Sequence, residues 1–177
     1  MRIIPDLGRL GLRYLVRDHL DTLYEIDRND THRKSRSDYL IFFGLPGILF
    51  FAAILFDWRL KGIEELLGGV SILTGLLFGL LIHVFSLGLK VAEDARLSRR
   101  DRLSALIEEL RANVSYACGV GLLLTAILMV GAGFDLAGPK GLPPFLSGSV
   151  CALFMHLVLT LLMVIKRVRT TYKLMVL

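Results

Sequence analysis

Charge is missing from four long stretches of this 177-residue sequence. Residues 39–56, 66–89, 112–134 and 141–165 contain no Asp, Glu, Lys or Arg, over lengths of 18, 24, 23 and 25 residues. A helix needs about 20 mainly apolar residues to cross a bilayer. The runs therefore exclude a soluble enzyme and point to four spans. Cysteine is scarce as well. Cys118 and Cys151 are the two present, both inside apolar runs, with neither a disulfide framework nor a metal-ligand spacing. Residues 1–38 are charged throughout and lack the apolar core of a cleavable signal peptide, so the first span is expected to be its own insertion signal.

The missing charge also limits the chemistry. Proton-coupled transporters and membrane hydrolases place ionisable groups inside their spans. Here there is no paired-carboxylate site, no His-x-x-Glu-His motif and no glycine-rich phosphate loop. No enzymatic activity, metal or cofactor is expected. The internal inverted repeats of secondary transporters are lacking too.

The charge that is present is unevenly placed. Of the 21 basic residues, 18 fall in segments 1–38, 90–111 and 166–177. Only Arg59, Lys61 and Lys140 fall between spans 1 and 2 or between spans 3 and 4. The positive-inside rule then puts both termini in the cytoplasm. The expected fold class is an all-α membrane protein with four transmembrane helices, multi-pass in the inner membrane of a bacterium and surrounded by membrane lipid.

The expected organisation follows the runs. Residues 1–38 form a cytoplasmic amphipathic helix and a polar connector. The helix reads over 5–26, with Leu12, Leu15, Val16, Leu23 and Ile26 on one stripe, packed on the cytoplasmic part or laid on the inner leaflet. Ser35 and Asp38 have capping-box spacing before span 1, residues 39–57. That span contains Pro46, a kink signal, and bulky side chains suited to lipid. A short loop makes spans 1 and 2 an antiparallel hairpin. Span 2 covers 66–89. Residues 90–113 form a basic helical extension, with a second capping-box spacing at Ser98 and Asp101. Span 3 covers 114–134, span 4 covers 145–165, and a basic tail runs over 166–177.

Two features could carry function. The first is a pair of polar stripes. Span 2 repeats Gly68, Ser71, Gly75, Gly79, His83, Ser86 and Lys90, and Gly75-x-x-x-Gly79 permits close helix approach. Span 4 carries Ser149, Ala152, His156, Thr160, Met163 and Arg167. His83 and His156 lie at neighbouring depths. With Ser86, Ser149 and Thr160 they would line a pore or gate formed by several copies. Equally, each histidine would fix packing through a hydrogen bond to a hydroxyl such as Ser86 or Thr160. The stripes favour a homo-oligomer, and cyclic symmetry about the membrane normal suits a tetramer.

The second feature is cationic. Arg96, Arg99, Arg100 and Arg102 fall within seven residues, and Arg33, Lys34 and Arg36 precede span 1. Arginine forks suit phosphate oxygens. Repeated around an axis, they would attract an anionic ligand such as an oligonucleotide. Positive-inside bias and anionic headgroups account for the same residues without a ligand.

Three runs add a resemblance: Arg36-Ser-Asp-Tyr-Leu-Ile-Phe-Phe-Gly-Leu-Pro-Gly47, Gly75-Leu-Leu-Phe-Gly-Leu-Leu81 and Leu106-Ile-Glu-Glu-Leu-Arg-Ala-Asn-Val-Ser-Tyr116. Over residues 36–116 the chain resembles small four-span bacterial antiphage-defence proteins, above all the membrane effector of the Hailong system. The membrane subunit of the Kiwa system is similar in size and topology. The resemblance implies a channel-shaped tetramer held closed by single-stranded DNA oligomers that a partner nucleotidyltransferase makes, and it carries over no site residue. The expected function is an oligomeric, ion-channel-like effector, gated by an anionic ligand or cytoplasmic partner, that dissipates the membrane gradient. The alternative is a non-conducting membrane anchor that recruits a cytoplasmic defence protein.

Overall fold

The computed structural model describes residues 12–22, 24–26, 32–34, 39–93, 100–134, 136 and 138–176, in part by backbone alone. Its elements are α1 (Leu12–Asp21), a two-stranded antiparallel hairpin of β1 (Tyr24–Ile26) and β2 (His32–Lys34), and four further helices. These are α2 (Leu40–Leu55), α3 (Ile63–Glu93), α4 (Arg100–Gly133) and α5 (Pro144–Val176). Among the described residues, three helices are long and apolar enough to cross a membrane: α3, α4 and α5. The fourth apolar run forms the shorter α2. Sixteen helical residues rise about 24 Å, short of a hydrocarbon core of about 30 Å.

The shortness of α2 has local causes at both ends. It opens on a π-helical turn, Leu40–Gly44, before continuing as α-helix. Pro46 has no N–H, so the carbonyl of Phe42, four residues earlier, has no α-helical partner. At the far end Asp57 takes a left-handed conformation with φ 47°, and the Trp58 N–H donates to Ala53 O at 2.8 Å. This closure ends the helix with its last carbonyls satisfied.

Packing between α3 and α4 follows a seven-residue period. The positions of α3 that face α4 are Ile63, Leu67, Val70, Thr74, Leu77, Leu81, Val84, Gly88 and Val91, buried or half-buried. On α4 the facing row is Leu103, Ile107, Leu110, Val114, Ala117, Gly121, Leu124, Leu128 and Gly131, all buried. Alternating steps of four and three give two narrow, complementary seams. Gly121 lies so close to Thr74 that a Cβ there would stand 2.6 Å from its hydroxyl.

The helices form a row rather than sequential hairpins. α3 packs on α4, α4 on α5, and α5 on α2, while α1 lies against α4. The expected hairpin of spans 1 and 2 is therefore corrected. Their loop is short, but each helix finds its main partner elsewhere: α3 has the seam on α4, and α2 fits against Gly148 of α5, where a Cβ would stand 2.9 Å from Phe50 O. Ties at the loop end hold this order. Leu142 N–H donates to Leu60 O at 2.9 Å, and Leu60 N–H donates to Ser147 Oγ at 3.0 Å.

The N-terminal reading needs the same treatment. The described helix is Leu12–Asp21, and Tyr24–Ile26 is a strand rather than more helix. Val16, placed on the buried stripe from sequence, is exposed, whereas His19 is fully buried. Polar partners on the bundle set the docking face, and apolar periodicity does not report them. Of the extension 90–113, residues 90–93 end α3 and residues 100–113 merge with span 3 in the unbroken α4, and the tail 166–177 is helical as far as Val176. The capping-box positions Ser35, Asp38 and Ser98 lie outside the described residues.

Candidate functional site

Where α1 meets the bundle, polar side chains of α4, α5 and the α1 segment converge with a backbone carbonyl of α2. His156 of α5 is buried and uses both ring nitrogens. Nε2 lies 2.8 Å from the Tyr116 hydroxyl, and Nδ1 lies 3.1 Å from Phe42 O. A carbonyl cannot donate, so Nδ1 carries the proton and Nε2 accepts from Tyr116. The carbonyl that Pro46 leaves without a helical partner is thus capped from another helix. Thr160 is buried and donates to His156 O at 2.9 Å, which keeps it on its own helix.

A second layer lies over Tyr116. The His19 ring of α1 stacks on the tyrosine at a centroid separation of 3.9 Å and an angle of 3°. Its Nδ1 is 2.8 Å from Asn113 Oδ1. Thr22 Oγ1 donates to His19 O at 2.7 Å and also lies 2.8 Å from Asn113 Oδ1. His19 and Asn113 have no exposed surface, and His19 Nε2 and Asn113 Nδ2 have no hydrogen-bond partner among the described residues. Rotating the amide by 180° exchanges which atoms are left over without removing the shortfall. Burial pushes the His19 imidazole down to about 4, the Asn113 hydrogen bond opposing it and the neighbouring His156 and Arg167 adding to it. Arg167 of α5 closes the cluster: it donates to Thr22 O at 2.5 Å and forms an ion pair with Glu109 of α4.

The span 2 stripe stands elsewhere. Gly75, Gly79, His83 and Ser86 are all exposed on the face of α3 turned away from α4. A Cβ at Gly75 or Gly79 would meet nothing within 4 Å. Ser86 donates to Ile82 O of its own helix, and His83 makes no hydrogen bond to any described residue. Ser149 is half-buried and donates to Phe145 O. The structure therefore does not bring the two spanning histidines together within one chain. Nor do the hydroxyls named from sequence serve their rings, since Ser86 and Thr160 both bond backbone carbonyls.

Of the cationic residues, Arg96, Arg99 and Arg36 lie outside the described residues. Arg33 and Lys34 fall on β2, and Arg100 and Arg102 on the first turn of α4, described by backbone alone.

Sequence reasoning missed His19, Asn113, Tyr116, Glu109 and Arg167 as a group. One signal was present: Pro46 implies an orphan carbonyl at Phe42, which asks for a donor from another helix. The remaining members come from three distant segments that only the fold joins. Comparison with protein-family models, with curated proteins and with solved structures returned no match.

Proposed function

We propose that this chain is a self-associating, channel-like membrane protein in which α3 to α5 cross the bilayer, the shorter α2 crosses where the bilayer thins to match it, and both termini are cytoplasmic. The exposed stripe of α3 lies between copies, where Gly75 and Gly79 permit close approach and His83 and Ser86 line the contact or lumen. The observation that carries this reading is the outward placement of that stripe. A histidine facing hydrocarbon is costly, and polar groups in spans normally face protein or water. The α5 stripe is satisfied within the chain, which leaves α3 as the polar surface for assembly. The arginine-rich segments 96–102 and 33–36 would receive an anionic ligand or partner that controls opening. Dissipation of the membrane gradient in antiphage defence is the role that the resemblance of residues 36–116 supports.

Ion flux through liposomes containing the purified protein tests the proposal, with and without short single-stranded DNA oligomers. Flux that the oligomers suppress is the expected result. Flux indifferent to them retains the channel and removes the proposed ligand. A folded oligomer with no flux in either condition overturns the channel and leaves a membrane anchor.

A further inference from the structure

We propose that α1 is a displaceable latch, held on α4 through an uncharged His19 and released when that imidazole takes up a proton. The inference concerns the position of α1 and does not depend on whether the protein conducts ions.

α1 is short, and its docking centres on His19. α1 has ten residues, and isolated helices of that length are marginal in water. Tyr14 and Val16 face away from the bundle, at 63% and 43% exposure. The described fastenings include the His19–Asn113 hydrogen bond, the contact of Thr22 Oγ1 with Asn113 Oδ1, the His19–Tyr116 stack, the fit of Leu15 over Gly119, and the Arg167 bond to Thr22 O. At Gly119 a Cβ would stand 2.9 Å from Leu15 Cδ2, so helix and seat are closely matched. The central fastening is also incomplete, because one ring nitrogen of His19 and one amide atom of Asn113 are buried without partners among the described residues. Half-satisfied buried networks are unfavourable, which keeps the docked state close to release.

Among the described residues, a proton on His19 has no counter-ion to meet. From α4 the ring faces Asn113 and Tyr116, and from α5 it faces His156 and Arg167. The first turn of α2 contributes the Phe42 ring, at 5.9 Å. Glu109 of α4, the acid at this cluster, is already paired with Arg167. On α1 itself Asp18 is exposed and lines a cleft with Tyr14, Glu108 and Arg111, so its charge is screened by solvent. A charged ring would sit buried beside Arg167 and His156. Release lets it hydrate, and it uncovers Asn113, Tyr116 and Gly119 on α4.

The sign follows directly. The docked imidazole titrates lower than a free one, so docking is fully favoured above pH 6.5. It weakens tenfold per unit as pH falls from there, and it levels off near the docked value of about 4. Between pH 7.5 and 5 the ratio of docked to released α1 should fall by about 30-fold.

Nitroxide labels at Tyr14→Cys and Ser104→Cys, with Cys118→Ala and Cys151→Ala, read the distance between α1 and α4. The full chain is held in lipid nanodiscs and diluted with unlabelled chain, so that only distances within one chain appear. A single short distance at pH 7.5, giving way to a longer one at pH 5, is expected. His19→Gln keeps a side-chain hydrogen bond but cannot take the proton, and its distances should not change with pH. Identical distances at both pH values in the His19 chain, or the same pH response in His19→Gln, overturn the latch. Should His19→Gln fail to fold, Asn113→Asp decides. It sets a carboxylate beside the protonated ring, and α1 should then stay docked at pH 5. Release as steep as with Asn113 overturns the proposal.

Discussion

His83 and His156 look alike in sequence and end in opposite settings. Both lie in charge-free runs, on stripes of small and polar residues. His156 is enclosed, with a tyrosine hydroxyl on one nitrogen and a backbone carbonyl on the other. His83 is exposed on α3 with no described partner. The difference comes from the seams. α3 spends its packing on one narrow seven-residue face, and 22% of its most apolar window is buried, against 44% for the central α4. A polar stripe off that seam is left outside. On α5, which contacts both α4 and α2, the corresponding stripe is drawn inward.

The largest expected effect comes from breaking the enclosed member. His156→Leu leaves the Phe42 carbonyl and the Tyr116 hydroxyl without their described partners. Each buried orphan costs about 1–3 kcal/mol, so the loss should be about 2–6 kcal/mol. Reversible unfolding in mixed micelles reads it directly. His156→Gln, which retains a donor and an acceptor, should recover part of the loss. If His156→Leu is as stable as the unaltered chain, the ring is not the cap for Phe42 and the contrast with His83 collapses.

Much of the fold is legible in the residues, and the reasons for the exceptions are specific. The four charge-free runs mark the helices, and the row Leu103, Ile107, Leu110 and Val114 marks the buried side of α4. Pro46 marks the irregular start of α2. The order of the helices was not legible, because a short loop fixes adjacency in the chain and not which faces fit. Packing order depends on close approaches such as Thr74 at Gly121 and Phe50 at Gly148. The docking face of α1 was hidden for another reason. His19 is buried through Asn113 and Tyr116, nearly a hundred residues away, and hydropathy scores such a histidine as surface. The span 2 stripe was visible, but its direction was not, since lipid and protein both accept apolar faces.

A middle-sized effect should separate folding from assembly. Gly75→Leu with Gly79→Leu adds bulk where the single chain has open space. Folding should change by less than about 1 kcal/mol, because the additions meet no side chain of the same molecule. Self-association, followed by energy transfer between labelled chains in liposomes, should weaken by about 10- to 100-fold if the stripe is the contact between copies, since close approach needs small residues. Loss of folding with association intact would reverse the assignment and place these glycines inside the chain.

The smallest structural effect is expected at His83, and it sharpens the comparison most. His83→Leu removes no described hydrogen bond and fills no cavity, so unfolding should shift by less than about 0.5 kcal/mol. On a purely lipid-facing surface the same change would be neutral or favourable in every measurement, because it removes a polar ring from hydrocarbon. Between copies it would instead alter ion flux at constant stability and constant insertion. Flux and unfolding measured on one preparation therefore give a two-way result. A change in flux alone makes His83 part of the assembled conduction path. No change in either makes the exposed face of α3 a lipid surface and withdraws the channel reading from it.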